Sequence, residues 1–168
     1  MDAKDQQILE VLQRDGRIAH TRLAEIVELS APAVLARVRK LEEQGIIMGY
    51  QAIVDANKVG NPIISYIGVT LVHHQREPLG QVSERIQEFP QVLEAYHLTG
   101  STDYLLKVAV PSIEALEHFL MEELTSIPGV DKVHTSLVLS PIKTNGNIPV
   151  SNVIATNGHR NGHTTSVY

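Results

Sequence analysis

The chain has 168 residues and no cysteine or tryptophan. Without cysteine there are no disulfides, thiolate zinc sites or cysteine nucleophiles. Aromatic residues make up only 4% of the chain, so its cores must be aliphatic. Long hydrophobic runs are also missing. The longest apolar stretch, Pro62 to Val72, is interrupted by Ser65, Tyr66 and Thr70 and is too short to span a bilayer. The start, with Asp2 and Asp5, has no apolar segment of the signal-peptide type. A cytoplasmic protein is expected. Finally, there is no surplus of positive charge. The formal net charge is -5, divided as -1 over residues 1–50 and -4 over residues 51–168. Nucleic-acid binders are often strongly basic, so any DNA face here must be a local patch. Phosphate contacts supply most non-specific affinity. Binding per subunit should therefore be weak, and useful affinity would need linked modules.

What is present is 43% apolar and 20% charged residues, enough for one domain or two small ones. The most informative stretch is Thr21 to Lys40. Leu23, Ala24 and Val27 give one helix, and Ser30 stops it and caps the next. Pro32 is tolerated in the first turn, where its missing N–H costs little. Val34, Val38 and Leu41 then form one apolar stripe, and Gly45 closes the helix. Steps of about 100° per residue place Pro32, Ala36 and Arg39 opposite that stripe, with Ala33 and Lys40 beside them and Arg37 at its edge. Small residues permit close approach, and Arg or Lys can reach guanine edges or phosphates. This is the division a major-groove helix needs, with Ala31 to Gln44 as the recognition helix. A helical hairpin with a solvated basic face would show the same pattern.

Before this stretch, Asp2 and Asp5 suit a helix N-terminus, Ile8, Val11 and Leu12 have helical spacing, and Gly16 is a natural stop. After it, Met48 to Val54 has strand-like content, and Asp55 can cap a short turn of helix ending at Gly60. Asn61-Pro62 breaks the chain, so a domain boundary falls between Tyr50 and Pro62. Strands are then expected over Ile63 to Val72, Val92 to Leu98, Asp103 to Val110 and Val130 to Leu139. Leu79, Val82, Ile86 and Phe89 mark a helix ended by Pro90, and Ser112 caps another that carries Leu116, Phe119, Leu120 and Leu124. This βαββαβ order is the ferredoxin-like split motif. One sheet face takes both helices. The other is left apolar enough to need cover, which predicts self-association. Ser151 to Tyr168 is rich in Asn, Gly, His and Thr and is expected to be disordered, with adventitious metal binding at His159 and His163 as the alternative.

Thr99-Gly100-Ser101-Thr102-Asp103-Tyr104 joins two of the expected strands. It reads as a hairpin turn with Gly at positive φ. It also reads as a pocket for a small zwitterion, with backbone N–H groups and the Ser101 and Thr102 hydroxyls on a carboxylate and Asp103 on an ammonium. His134 and Ser136 are outside candidates for the same pocket. The histidines are scattered, and no metal or catalytic role is assigned to His73, His74 or His97. No catalytic constellation and no cofactor are expected.

Several short motifs occur in a fixed order: Asp2-x-x-Asp5-x-x-Ile8-Leu9, Asp15-Gly16-Arg17, Leu23-Ala24, Leu29-Ser30, Arg37-Val38-x-x-Leu41-Glu42 and Gly45-Ile46-Ile47, then Gly100-x-x-Asp103-Tyr104-Leu105-Leu106 and Pro128-Gly129-Val130. Together, from about Asp2 to about Pro149, they resemble the leucine-responsive and asparagine-responsive (Lrp/AsnC) family of prokaryotic transcription regulators. Glu28 stands where that family usually has Gly, and Leu35 and Ala36 where polar or basic residues are common. The resemblance implies an α+β chain: a winged helix-turn-helix of three helices over residues 1–50, a linker arm over 51–61, a ferredoxin-like effector and oligomerisation domain over 62–142, and an extension over 143–168. In the family the arm is a strand that pairs with its mate in a second subunit. DNA contacts are expected from Thr21, Arg22, Ser30, Ala33, Leu35, Ala36, Arg37, Arg39 and Lys40. The resemblance also implies an amino-acid effector bound between dimers at the Thr99 to Tyr104 loop, where Gly100 and Asp103 match the family's motif; Ser101 and Thr102 fall at variable positions that would choose the ligand, and Tyr104 completes the expected site. The partners implied are double-stranded DNA, the effector and further copies of the chain. Some sirohaem decarboxylases resemble the same family, so a tetrapyrrole-processing enzyme is one alternative. A metabolite-binding module without DNA binding is another.

Overall fold

The computed structural model describes residues 1–72 and 76–150. His73, His74 and the tail with His159 and His163 lie outside them, so the expectations made for those residues do too. The chain divides into two compact units. Among the described residues, one comprises Met1–Ala52 together with 145–150, and the other Ile53–Thr144.

The first unit is built on three helices, α1 (Ala3–Leu12), α2 (His20–Val27) and α3 (Ala31–Glu43). Each begins or ends for a local reason. Asp2 and Asp5 form a reciprocal capping box: Asp2 Oδ1 accepts from the Asp5 N–H at 2.9 Å, and Asp5 Oδ2 accepts from the Asp2 N–H at 2.8 Å. Ser30 is extended, and its hydroxyl accepts from the Ala33 N–H at the start of α3. Gly45, at φ +67°, ends that helix, and the Ile46 and Ile47 N–H groups turn back to the Leu41 carbonyl. Ile8, Leu23, Val27, Val34, Val38 and Leu41 make up the core of this unit. Gly16 is a point of close approach, because a Cβ there would sit 3.2 Å from the ring of Tyr50. The Tyr50 hydroxyl donates to Glu42 at 3.0 Å, which fastens the chain where it leaves α3.

The same unit includes the segment that returns from the far end of the chain. The Gln13 side-chain amide pairs with the Ile148 backbone as a strand would: Ile148 N–H donates to Gln13 Oε1 at 2.7 Å, and Gln13 Nε2 donates to the Ile148 carbonyl at 3.1 Å. Val150 packs against the helical core.

In the second unit a four-stranded antiparallel sheet runs in the order β2-β3-β1-β4, from β1 (Ile63–Leu71), β2 (Val92–His97), β3 (Tyr104–Val110) and β4 (Val130–Leu137). Helix α4 (Arg76–Glu88) joins β1 to β2. Helix α5 (Ile113–His118) follows β3, with Ser112 as its cap, and continues as a π-helical turn over Phe119–Leu124. This is the expected βαββαβ order. Helical spacing did not indicate the π turn. Its wider step lets Phe119 and Leu124, five apart, both face the core. One sheet face, with Ile67, Val69, Leu106 and Val108, packs on Val82, Ile86 and Phe119. Phe89 meets Phe119 edge to face at 5.2 Å. The other face is mixed rather than apolar. Tyr66 and Tyr96 are exposed on it, and between them Lys107 Nζ meets Glu94 Oε1 at 2.7 Å while the Tyr96 hydroxyl donates to Glu94 Oε2 at 2.8 Å.

The expected strand from Met48 to Val54 is not formed within the single chain. A strand is held by a neighbour's hydrogen bonds, and the chain alone provides none there. Met48 and Ile53 stay largely exposed. Asp55 caps a tight turn instead of a regular helix, accepting from the Asn57 N–H at 3.0 Å.

Helix α2 ends on Glu28 at φ 53° and ψ 52°, the left-handed region that a side chain adopts at a cost. Lys4 offsets part of that cost: its Nζ binds the Val27 carbonyl at 2.6 Å and lies 3.8 Å from Glu28 Oε2. Glu28 is so exposed that this ion pair contributes little. Glu28→Gly should therefore stabilise the unit by about 1 kcal/mol, read as a higher urea midpoint. Glu28→Ala, which keeps the Cβ, should give no such gain.

Candidate functional site

Burial of Val34, Val38 and Leu41 sets the rotation of α3 about its axis. Pro32, Ala36, Arg39 and Lys40 are exposed on the opposite side, and Ala33 and Leu35 are half-buried beside them. Thr21 and Arg22 are exposed at the start of α2, where Arg22 pairs with Glu25 at 2.6 Å. The Ser30 side chain serves as the cap already described. The side chains of Arg39 and Lys40 form no ion pair with any described residue and are available to an outside anion.

Arg37 differs from its neighbours. Its Nη1 donates to Asp2 Oδ2 and to Asp5 Oδ1, each at 2.7 Å. The two carboxylates that cap α1 thus also hold α3 by its edge, and this arginine is engaged inside the unit. The Asp2 carboxyl is held down to about 2, first by the Asp5 backbone N–H and then by the Arg37 guanidinium. The same carboxylates hold the proton on Arg37 more firmly than usual. The i, i+3 spacing of Asp2 and Asp5 marks a cap in the sequence. Nothing in it shows that the cap reaches a residue some thirty positions away.

In the second unit, the loop from Leu98 to Asp103 connects β2 to β3, closed by the Leu98 N–H on the Asp103 carbonyl at 2.8 Å, and is also bonded to β1. Asp103 donates its N–H to the Val69 carbonyl at 2.9 Å and accepts from the Leu71 N–H on Oδ2 at 2.7 Å. Thr70 Oγ1 donates to the Ser101 carbonyl at 3.3 Å. Thr102 lies over Gly68, where an added Cβ would be 3.2 Å from Thr102 Cγ2. Gly100 has φ +119°, which only glycine adopts easily, and it and Ser101 are exposed. Gly68 pairs with His134, and Tyr66 with Ser136, so both outside candidates lie on the open sheet face and His134 is next to the position that Thr102 covers. Tyr104 stands apart. Its side chain is 5% exposed, its hydroxyl is 2.9 Å from Ser83 Oγ, and its ring is 5.1 Å from that of His97, so it belongs to the core side of the sheet. One Asp103 oxygen is likewise committed to the backbone. A groove of about 490 Å³, lined by residues that include Pro90, Leu93, Phe119 and Glu123, lies at the other end of β2 and β3; its Glu123 carboxylate is already met by Gln91 and His118. Among the described residues no three His, Asp or Glu side chains gather as metal ligands, and no helix is long and apolar enough to cross a membrane.

Three helices with a capped turn, followed by an antiparallel βαββαβ unit whose loop docks on its central strand, define a two-part regulator architecture. Comparison with known proteins agrees. Residues 1–42 match the AsnC-type helix-turn-helix domain, and residues 64–148 match the Lrp/AsnC ligand binding domain. A leucine-responsive regulatory protein of Rhizobium meliloti is 40% identical over 143 residues, spanning 85% of this chain and 92% of that one. The transcriptional regulator AzlB of Bacillus subtilis is 37% identical over 150 residues, spanning 89% and 96%. The crystal structure of a transcriptional regulator from Neisseria meningitidis in complex with L-Met superposes with a TM-score of 0.85 at 33% identity, covering 89% of this chain and 96% of that one. The chain belongs to the Lrp/AsnC family of transcription regulators. These relatives are regulators and not enzymes, which removes the tetrapyrrole-processing alternative.

The clamp on Arg37 has a pH signature. A carboxyl lowered in the folded state stabilises it above the unfolded value of 3.8, and that stabilisation is lost as pH falls towards about 2. Carboxyl-carbon NMR should therefore show Asp2 titrating near pH 2. In Arg37→Ala the midpoint should move up towards the unfolded value, and α1 should unfold at a higher pH on acidification.

Proposed function

We propose that this regulator grips operator DNA with the outward side of α3, that it acts as a homodimer or larger assembly in the cytoplasm, and that an amino acid held at the Gly100 to Asp103 loop modulates it. One observation carries the DNA reading. Arg39 and Lys40 are exposed and unpaired on the side of α3 opposite its buried stripe, while Arg37 is bound to Asp2 and Asp5. Two cations per subunit fit the unit's small net charge. They also fit a mode of binding in which paired subunits add their phosphate contacts. Thr21 flanks the same region and is assigned to a phosphate contact, Arg22 is held by Glu25 and Ser30 by its capping bond, and Ala33 and Leu35 lie at the rim.

The effector reading is supported by a loop that has an exposed Gly100 and Ser101, a Thr102 hydroxyl and an Asp103 carboxylate close together, and by the likeness to a regulator crystallised with L-Met. The half-apolar open face of the sheet, with Tyr66 and Tyr96, and the exposed arm around Met48 and Ile53 are surfaces that a second copy would cover.

The test is a band shift on the DNA upstream of the protein's own coding region, with a random duplex alongside, over a salt series, with and without L-methionine or a pool of amino acids. Specific retention that weakens with salt and responds to an amino acid is expected. Arg39→Ala with Lys40→Ala should weaken binding and flatten the salt dependence by about 0.9 in log–log slope for each phosphate no longer neutralised. An unchanged slope would remove this face of α3 from the interface. Amino-acid binding by calorimetry without retention of any duplex at low salt would leave a metabolite-binding module.

A further inference from the structure

The side of α3 that faces out has a methyl group at its centre. With Val34, Val38 and Leu41 buried, steps of about 100° per residue bring Ala36 to the direction opposite them. Pro32 and Glu43 lie along the same line, one turn or more away, and Arg39 and Lys40 stand to either side. Ala36 is exposed, and Arg37, the nearest cation in sequence, is withdrawn to Asp2 and Asp5. The residue that would enter a groove deepest therefore has neither donor nor acceptor. The major groove offers four patterns of donors and acceptors and one apolar feature, the C5 methyl of thymine. A methyl side chain gains nothing from a bare amino or carbonyl edge and desolvates it. Against the thymine methyl it removes apolar surface from water on both sides.

From this geometry we infer that Ala36 is a specificity-determining residue that reads thymine through its C5 methyl, while Arg39 and Lys40 hold the backbone or a guanine on either side. The inference rests on α3 being the recognition helix. It adds which base feature the middle of that helix selects. It also gives a physical sense to an alanine at a position where a polar side chain would read a donor or acceptor.

The experiment starts from duplexes enriched out of a random-sequence pool by the full-length protein. In the best-bound duplex each thymine is replaced in turn by uracil, which removes only the methyl. One thymine per half-site should weaken binding about fourfold on this change, the equivalent of one buried methyl group. At that same base pair, cytosine should bind worse than 5-methylcytosine by a similar factor, since the methyl returns without the thymine carbonyl. Ala36→Gly should bind the thymine and uracil duplexes alike. Ala36→Ser keeps the helix better and serves the same purpose if circular dichroism shows the glycine variant unfolded. The inference is overturned if no thymine-to-uracil change weakens binding, or if the loss is as large in the Ala36 variants as in the parent. If no duplex is retained even at low salt, α3 is not a recognition helix, and that outcome overturns the underlying reading as well.

Discussion

The burial of Val34, Val38 and Leu41 is the constraint on which the DNA-binding unit depends. These side chains complete a core with Ile8, Leu23 and Val27, and there is no second apolar stripe that could replace them. Once they are inside, every other position on α3 has a fixed direction. Ala36 points out, Arg39 and Lys40 flank it, and Arg37 falls at the edge nearest the start of α1. Which side chains α3 turns outward is thus a consequence of core packing. At about 25 cal/mol per Å² of apolar surface, that packing outweighs anything the exposed charges contribute to the fold.

The capping box of α1 follows from the same rotation. Asp2 and Asp5 are needed at the helix start to satisfy free N–H groups, and each still has an oxygen for Arg37. One cluster therefore caps one helix and holds another by its edge. The cost is a cation removed from the outward side of α3, where Arg39 and Lys40 remain. The formal net charge over residues 1–50 is only -1, so the unit as a whole supplies no net attraction for a polyanion. Selectivity then depends on short-range fit, where small side chains matter as much as charges do.

Much of this was legible in the sequence, and the reason is locality. The Ser30 cap, the stripe on α3, the Gly45 stop and the βαββαβ order depend on residues a few positions apart, whose chemistry fixes the local backbone. What spacing did not show involves distant partners. Arg37 looks like a DNA contact until its carboxylates are located. Tyr104 looks like part of the loop until its ring is found against His97 and its hydroxyl beside Ser83. The loop closes as the hairpin turn its spacing suggests, with Leu98 N–H on the Asp103 carbonyl, but its further bonds to β1, a strand more than thirty residues earlier in the chain, have no local signal. The Gln13 to Ile148 pairing spans 135 positions and has no local signature at all.

That last pairing bears on how a ligand at the loop could be felt by the helices. The chain passes between the two units twice. The first passage falls between Ala52 and Ile53, and residues 53–62 then lead into β1, the strand to which Asp103 and Thr70 bind the loop. The second leaves β4, which pairs with β1 along its length, and ends at Gln13 beside α1. The covalent routes to the first unit therefore start from β1, to which the loop is bonded, and from β4, which pairs with β1. A ligand changes an equilibrium only by binding one arrangement better than another. The loop's bonds to Val69, Thr70 and Leu71 are the contacts through which such a preference would reach β1, and the Gln13 amide is where the returning segment is held.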